Sequence, residues 1–445
     1  MTFPILNRHL DTLLERLFWF GLVLGLGLGF WYQANQIVDG DQLQMIHRGY
    51  QAVYLGLWPA TGNTASAVGN VPGFLSTAIV AGPLMLWDSP YAPIVLLLAL
   101  RLLGFLMIDA VVRQAFEGSM AVRLWLLLLL WLNPWVQYDS LLYNPPYLLF
   151  CAGLHLYSAW RLRLAPSFWW SFWHVAAIGI AVQLHFSWPL LVFISIYLWC
   201  RQLVRVNWWG VAAAVAIAMM TLLPYLFELL AKPEIASHTD PKSQDRYIGW
   251  GAVHVYPVLK SIIYWLRYGA FAFPSKLVNA AGFDWLTSWQ WLELTLIWAW
   301  RIAQYAMAAA TLMLALVANV MAYREVRAHW RRKDGQVNDP IVWLLLYALG
   351  AFVAMLISAG LAPIVFNYWH LVLIFPAAVL PVLVWIYRSF IQGSTVSVQL
   401  ILVIAAILIA TNLVAINDSR KFSWSASYAD QVMQYVEQQF GSSPR

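Results

Sequence analysis

Apolar runs separated by short polar breaks occupy almost the whole chain. Eleven of them read as membrane-spanning helices, at about 17–36, 92–112, 124–138, 146–161, 168–185, 187–204, 208–229, 291–321, 341–361, 369–387 and 397–416. A helix of about 20 apolar residues crosses the roughly 30 Å hydrocarbon layer. The short breaks on one side carry Arg113, Arg123, Arg161, Arg163, Arg201 and Arg205, and the same side takes Arg8, Arg16, Arg388 and the basic run from Arg324 to Lys333. The breaks at 138–145, 185–189 and 363–368 hold no Lys or Arg. The positive-inside rule then predicts a cytoplasmic N-terminus. It places two large loops, 36–91 and 230–290, and a polar tail, 417–445, outside. Residues 1–416 read as one transmembrane domain. Loop 36–91 is predicted to be short helices joined at Gly62, Gly69 and Pro72-Gly73. The stretches Leu75–Leu86 and Val255–Tyr268 are predicted to lie in the membrane interface.

Composition narrows the class. The chain has 445 residues, 62% hydrophobic and 10% charged, where a soluble domain carries about 25% charged residues. Its 27 Trp suit interfacial rings. This is the pattern of an all-α polytopic membrane protein whose first partner is the lipid bilayer. The first apolar run, Phe18 to Trp31, lacks a cleavage signal and is expected to remain as a helix. Cys151 and Cys200 fall in apolar runs and read as free, packed thiols. The net charge of +6 follows topology and gives no nucleic-acid signature. No nucleotide-phosphate loop and no zinc spacing is present.

The outer face carries the candidate chemistry. Asp39-Gly40-Asp41 follows the first span, where a carboxylate can accept a proton from a hydroxyl beside a lipid-borne reactant. No organic cofactor and no metal site is implied, although two carboxylates leave room for a divalent cation. Asn144 either binds a sugar or caps the fourth span. His185 closes the fifth span, facing either a cavity or interfacial water. Glu228 ends the seventh span, with Lys232 at i+4 as an ordinary ion-pair partner. Lys242, Arg246, Lys260 and Arg267 are cations of the second outer loop. His370 opens the tenth span and touches either an anionic head group or the aromatic belt. Arg101 and Arg301, near mid-span, must line a cavity or pair with an acid, with Asp109 and Glu293 as candidates.

The order of these motifs resembles the bacterial GT-C glycosyltransferases, in particular the protein O-mannosyltransferase and aminoarabinose transferase group. The likeness rests on the acid pair, on Gly56-Leu57-Trp58-Pro59 with Gly62, Ser66, Gly69 and Pro72-Gly73, on Asn133-Pro134 and Asn144-Pro145, and on Gln183-Leu184-His185. It continues through Leu223-Pro224-Tyr225-Leu226-Phe227-Glu228 and Tyr368-Trp369-His370 with Pro376, and so spans about residues 1–390. The resemblance implies a GT-C-like fold and transfer of a sugar from a polyprenyl-phosphate donor to a glycolipid, glycan or protein acceptor in the cell envelope. It also implies inversion at the sugar, with Asp39 or Asp41 as general base. Here Gly40 separates the acids, whereas the family more commonly has an adjacent Asp-Glu pair. The basic loop residues would hold the lipid phosphate. Two other readings are an O-antigen ligase or polymerase using lipid-diphosphate glycans, and a lipid-glycan transporter without chemistry.

Overall fold

The structure, a computed structural model, describes residues 4–65, 69–138, 141–237, 255–273, 277, 282–283, 286–331, 337–362, 364–391, 398–419 and 421–441. Helices occupy all eleven predicted stretches. The first is α1 (Pro4–Ala34). Its chain then forms α2 (Gly40–Leu55), an antiparallel pair of strands β1 (Thr61–Thr64) and β2 (Asn70–Pro72), and α3 (Leu75–Leu86). The membrane body continues with α4 (Ala92–Ala115), α5 (Met120–Leu126), α6 (Pro134–Tyr138), α7 (Leu148–Leu162), α8 (Phe168–Val182), α9 (Pro189–Cys200) and α10 (Trp208–Ala231). A wider π-type turn, Leu127–Trp131, joins α5 to α6. Later come a loop helix Val255–Tyr268, a long helix Gln290–Arg331, a helix Pro340–Leu361, a helical segment Tyr368–Ile391, and a last long helix Val398–Asn417. Two short strands, β3 (Asp418–Ser419) and β4 (Phe422–Ser423), precede a tail helix Tyr428–Phe440.

Among the described residues, eight helices are long and apolar enough to cross a membrane, so the chain is an integral membrane protein. The α7, α8 and α9 stretches are shorter, at 15, 15 and 12 residues. Local chemistry sets several starts. Asn207 accepts from the Gly210 N–H at the head of α10, and Asp339 accepts from Ile341 N–H at the head of Pro340–Leu361. Both satisfy donors that a helix N-terminus leaves open.

A close crossing joins α4 to α7. A Cβ built on Gly153 would stand 2.4 Å from the Gly104 carbonyl oxygen, so the two backbones touch. Small residues allow such approach between membrane helices. Gly153→Val is expected to cost about 1–3 kcal/mol through overpacking, read as a lowered unfolding temperature in detergent. A polar network ties the short helices together. The Ser195 hydroxyl lies 2.9 Å from His155 Nε2 and 3.0 Å from His174 Nε2, while Tyr347 Oη lies 2.9 Å from His155 Nδ1. Each buried imidazole thereby finds hydrogen-bond partners within the protein.

The structure corrects two expectations and shows what the mid-span arginines meet. The centre of loop 36–91 is a β-hairpin, because Gly62 packs its backbone against the Ser76 side chain and Val71 and the TGNT and NVP segments are too short and too poor in helix formers to continue α2. Cys151 is buried, but Cys200, at the end of α9, is exposed. Asp109 pairs with Arg123, at 2.6 Å and 2.8 Å in a two-pronged contact. Arg101 instead donates to the Val136 carbonyl and lines a cavity. Arg301 lies over the Trp298 ring, 5.5 Å from its centroid. Glu293 is two turns away along the same helix, about 12 Å by helical rise, too far to pair with it.

Candidate active site

The acid pair sits at the start of α2. Asp39 has extended backbone, its N–H donates to Gln42 Oε1 at 3.0 Å, and Gly40 adopts φ +46. That left-handed conformation favours glycine, and it turns the chain so that Asp41 enters the first helical turn. Gln42 Nε2 donates to Gln36 Oε1 at 3.1 Å, and Leu142 N–H reaches the same oxygen at 3.3 Å. The pair is therefore braced from below by side chains of α2 and by the segment that follows α6.

The β-hairpin packs along α2 beside it. Asn63 donates to the Asp41 carbonyl at 3.3 Å, and Gln44 exchanges two 3.1 Å bonds with Thr64. Arg48 donates to the carbonyls of Thr61 and Gly62. The far side of the hairpin meets the rest of the outer face. Gly73, at φ +80, abuts the Gln183 side chain, and Gly69, at φ +63, abuts the Ala236 backbone.

Asp39 and Asp41 both open to solvent-accessible space. Protein nevertheless crowds Asp41 closely enough that burial raises its carboxyl above the usual carboxylate range. Lys421 opposes that rise and Asp39 adds to it. Lys421 lies between β3 and β4, with its ammonium 5.2 Å from the centroid of the Tyr143 ring. An acid held partly desolvated is a stronger base than a free one.

A second group gathers around the start of the Tyr368–Ile391 segment. The Lys260 ammonium donates to Asn367 Oδ1 at 2.7 Å, and Asn367 N–H donates to His370 Nδ1 at 2.9 Å. The rings of His370 and His185 are 5.5 Å apart, and His185 Nδ1 lies 2.9 Å from the Ser187 hydroxyl. Burial lowers the Lys260 pKa, yet one amide oxygen neutralises none of its charge. The group thus offers a cation, two imidazoles and an amide on one surface. An anion with several oxygens suits it.

The remaining sequence candidates divide. Arg267 spends its donors on the carbonyls of Ala272, at 3.1 Å, and Phe273, at 2.6 Å, and stacks on Trp135. It braces the second loop. A cavity of about 20 Å³, enough for a single water, lies between Arg101, Trp135, Tyr268 and Tyr368. Glu228 pairs with Lys232 at 3.7 Å and also lies close enough to act electrostatically on Arg48. Asn144 does not cap α7. It is helical itself, the two prolines after it lack an N–H, and the Tyr147 N–H donates to the Asn144 backbone carbonyl in place of its side chain. Its Oδ1 is buried without a hydrogen-bond partner. Lys242 and Arg246 lie outside the described residues. Among the described residues no group of three or more His, Cys, Asp or Glu comes together.

Two cations are absent from the sequence candidates: Lys421, whose charge acts on Asp41, and Arg48, which holds the hairpin. The repeated Gln and Arg on one face of α2, at Gln44 and Arg48, was the available signal for a packed partner there.

No protein-family model and no curated protein matches this chain. Among solved structures its fold is that of a GT-C-type membrane protein, as the sequence led one to expect. It is similar to ArnT from Cupriavidus metallidurans in the crystal structure bound to undecaprenyl phosphate, with a TM-score of 0.52 at 14% identity, and in the apo state, with 0.53 at 13%. Each match covers 92% of this chain and 64% of the ArnT chain, so this chain spans less than two thirds of ArnT's length.

Proposed function

We propose that this protein transfers a sugar from a polyprenyl-phosphate donor to a cell-envelope acceptor on the outer face of the plasma membrane, with its N-terminus in the cytoplasm. The reading is carried by one observation. In a fold like that of ArnT, which is seen with undecaprenyl phosphate, the first loop, which carries the acid pair, packs through Gly73 on Gln183, two residues before His185 of the Lys260–His370–His185 group. In the step, an acceptor hydroxyl oxygen bonds to the anomeric carbon. The bond from that carbon to the phosphate oxygen breaks, and its electron pair leaves with the polyprenyl phosphate. The hydroxyl proton passes to the Asp41 carboxylate. Attack opposite the leaving group inverts the anomeric centre. Lys260 holds the phosphate oxygens, with His370, His185 and Asn144 lining the path. No step is assigned to a divalent cation.

The test compares envelope glycans by mass spectrometry from cells carrying the wild-type protein and the Asp39→Asn/Asp41→Asn double variant. A sugar mass present with the first and missing with the second is expected. An unchanged glycan profile in the double variant overturns the proposal. Binding supplies a separate check. Lys260→Met is expected to weaken binding of undecaprenyl phosphate about ten- to hundredfold, the worth of one hydrogen bond to a charged group. Ligand-induced thermal stabilisation of the purified protein measures it, and the double Asn variant should bind as the wild type does.

A further inference from the structure

The four residues that lead into the acid pair are all hydrogen-bonded to the tail. Ser423 N–H donates to the Asn35 carbonyl at 3.0 Å, and Ile37 N–H donates to the Lys421 carbonyl at 2.9 Å. Gln431 holds the other two: its Nε2 donates to the Gln36 carbonyl at 3.1 Å, and its Oε1 accepts from Val38 N–H at 3.0 Å. The tail is anchored at both ends. Phe422 is fully buried, its ring 4.8 Å from that of Tyr32 and 5.3 Å from that of Tyr138. The Tyr435 hydroxyl lies 2.9 Å from His47 Nδ1, and Phe440 packs on the same imidazole at 5.4 Å between centroids.

A polar appendage that merely covered α2 would have no need to bond every residue between α1 and the acids. We propose that the tail is a wall of the catalytic cleft, in which Gln431 fixes the segment from which the acids project and Lys421, whose carbonyl holds Ile37, is a positioning residue for Asp41. This inference rests on the reading of Asp41 as the base. The charges acting on Asp41 are Lys421 and Asp39. The other elements packed on this part of α2, the β-hairpin and α3, carry no charged side chain among their described residues. The tail helix adds Asp430, beside Gln431 and so near Val38, and Glu437 further along, near the contact of Tyr435 with His47.

The signs follow. Removing a cation beside a carboxylate raises its pKa, and removing a neighbouring anion lowers it. Dicyclohexylcarbodiimide reacts with protonated carboxyls, so adduct at Asp41, counted by peptide mass spectrometry on the full-length protein, falls as pH rises through that pKa. Asp41→Asn identifies the adduct by abolishing it. Lys421→Met is expected to move the labelling midpoint up by about half a pH unit or more, and Asp39→Asn to move it down, in line with opposite effects of unlike and like charge. Lys421→Arg should keep the wild-type midpoint. Gln431→Ala should speed amide hydrogen exchange at Ile37 and Val38 about tenfold, the worth of one hydrogen bond. An unmoved midpoint in Lys421→Met, or unchanged exchange in Gln431→Ala, overturns the inference. Neither readout needs a substrate. An unmoved midpoint therefore leaves the glycosyl-transfer reading standing, whereas an unchanged glycan profile in the Asp39→Asn/Asp41→Asn variant removes that reading even where the midpoint moves.

Discussion

Asp41→Asn is expected to lower turnover by about 10²- to 10⁴-fold, the usual worth of a positioned general base, without lowering stability. The two halves of this expectation have one cause. Burial raises the Asp41 pKa in the folded protein. A carboxyl raised in this way costs stability once pH rises past its unfolded value, because the ionised form is less well solvated when folded. The amide removes that cost. The same shift sets the pH profile. Turnover should fall on the acid side at a pH above the ordinary carboxylate range, as Asp41 takes up the proton that blocks it. Thermal unfolding of wild type and variant, set beside their turnover, measures both. A variant that loses activity and unfolds much earlier would indicate a structural carboxylate, with no role in proton transfer.

Arg123→Ala is expected to produce the largest loss of stability, about 3–5 kcal/mol, as when one member of a buried ion pair is removed. Both side chains are nearly enclosed, with 11% and 7% exposure. The guanidinium also lies over the Phe18 ring at 4.2 Å. One side chain thus joins α1, α4 and α5, and its loss strands the Asp109 carboxylate. Replacing both partners, by Arg123→Leu and Asp109→Leu together, should cost less than Arg123→Ala alone, since no charge is then left without a partner. Denaturation in detergent of the two variants decides the ordering.

What could be read in the sequence followed what repeats along it. The eleven apolar stretches and their helices coincide because length and hydropathy are local properties, and the order of short motifs led to the fold that the ArnT comparison supports. The turn at Asp39-Gly40-Asp41 was equally local. Pairings were not. Arg101, eight residues before Asp109, was left open between a cavity and an acid partner; Arg123 takes Asp109 because the turn after α4 brings α5 back beside it. The hairpin at Thr61–Pro72 was hidden for the same reason. Its strands are three and four residues long and hold their shape through Arg48, Gln44 and Ser76. Lys421 was out of reach, since nothing near residue 421 in the sequence points to residue 37.

That last separation bears on how the protein is made. Tyr435 and His47 are 388 positions apart, and ribosomes add about 5–20 residues per second. The helix bearing the acids therefore waits about 20–80 s for the strand and helix that fasten it. A nascent chain arrested before its last long helix would hold its membrane body but no finished cleft. The contacts that hold the acid-bearing segment therefore form only after residues 421–440 have left the ribosome.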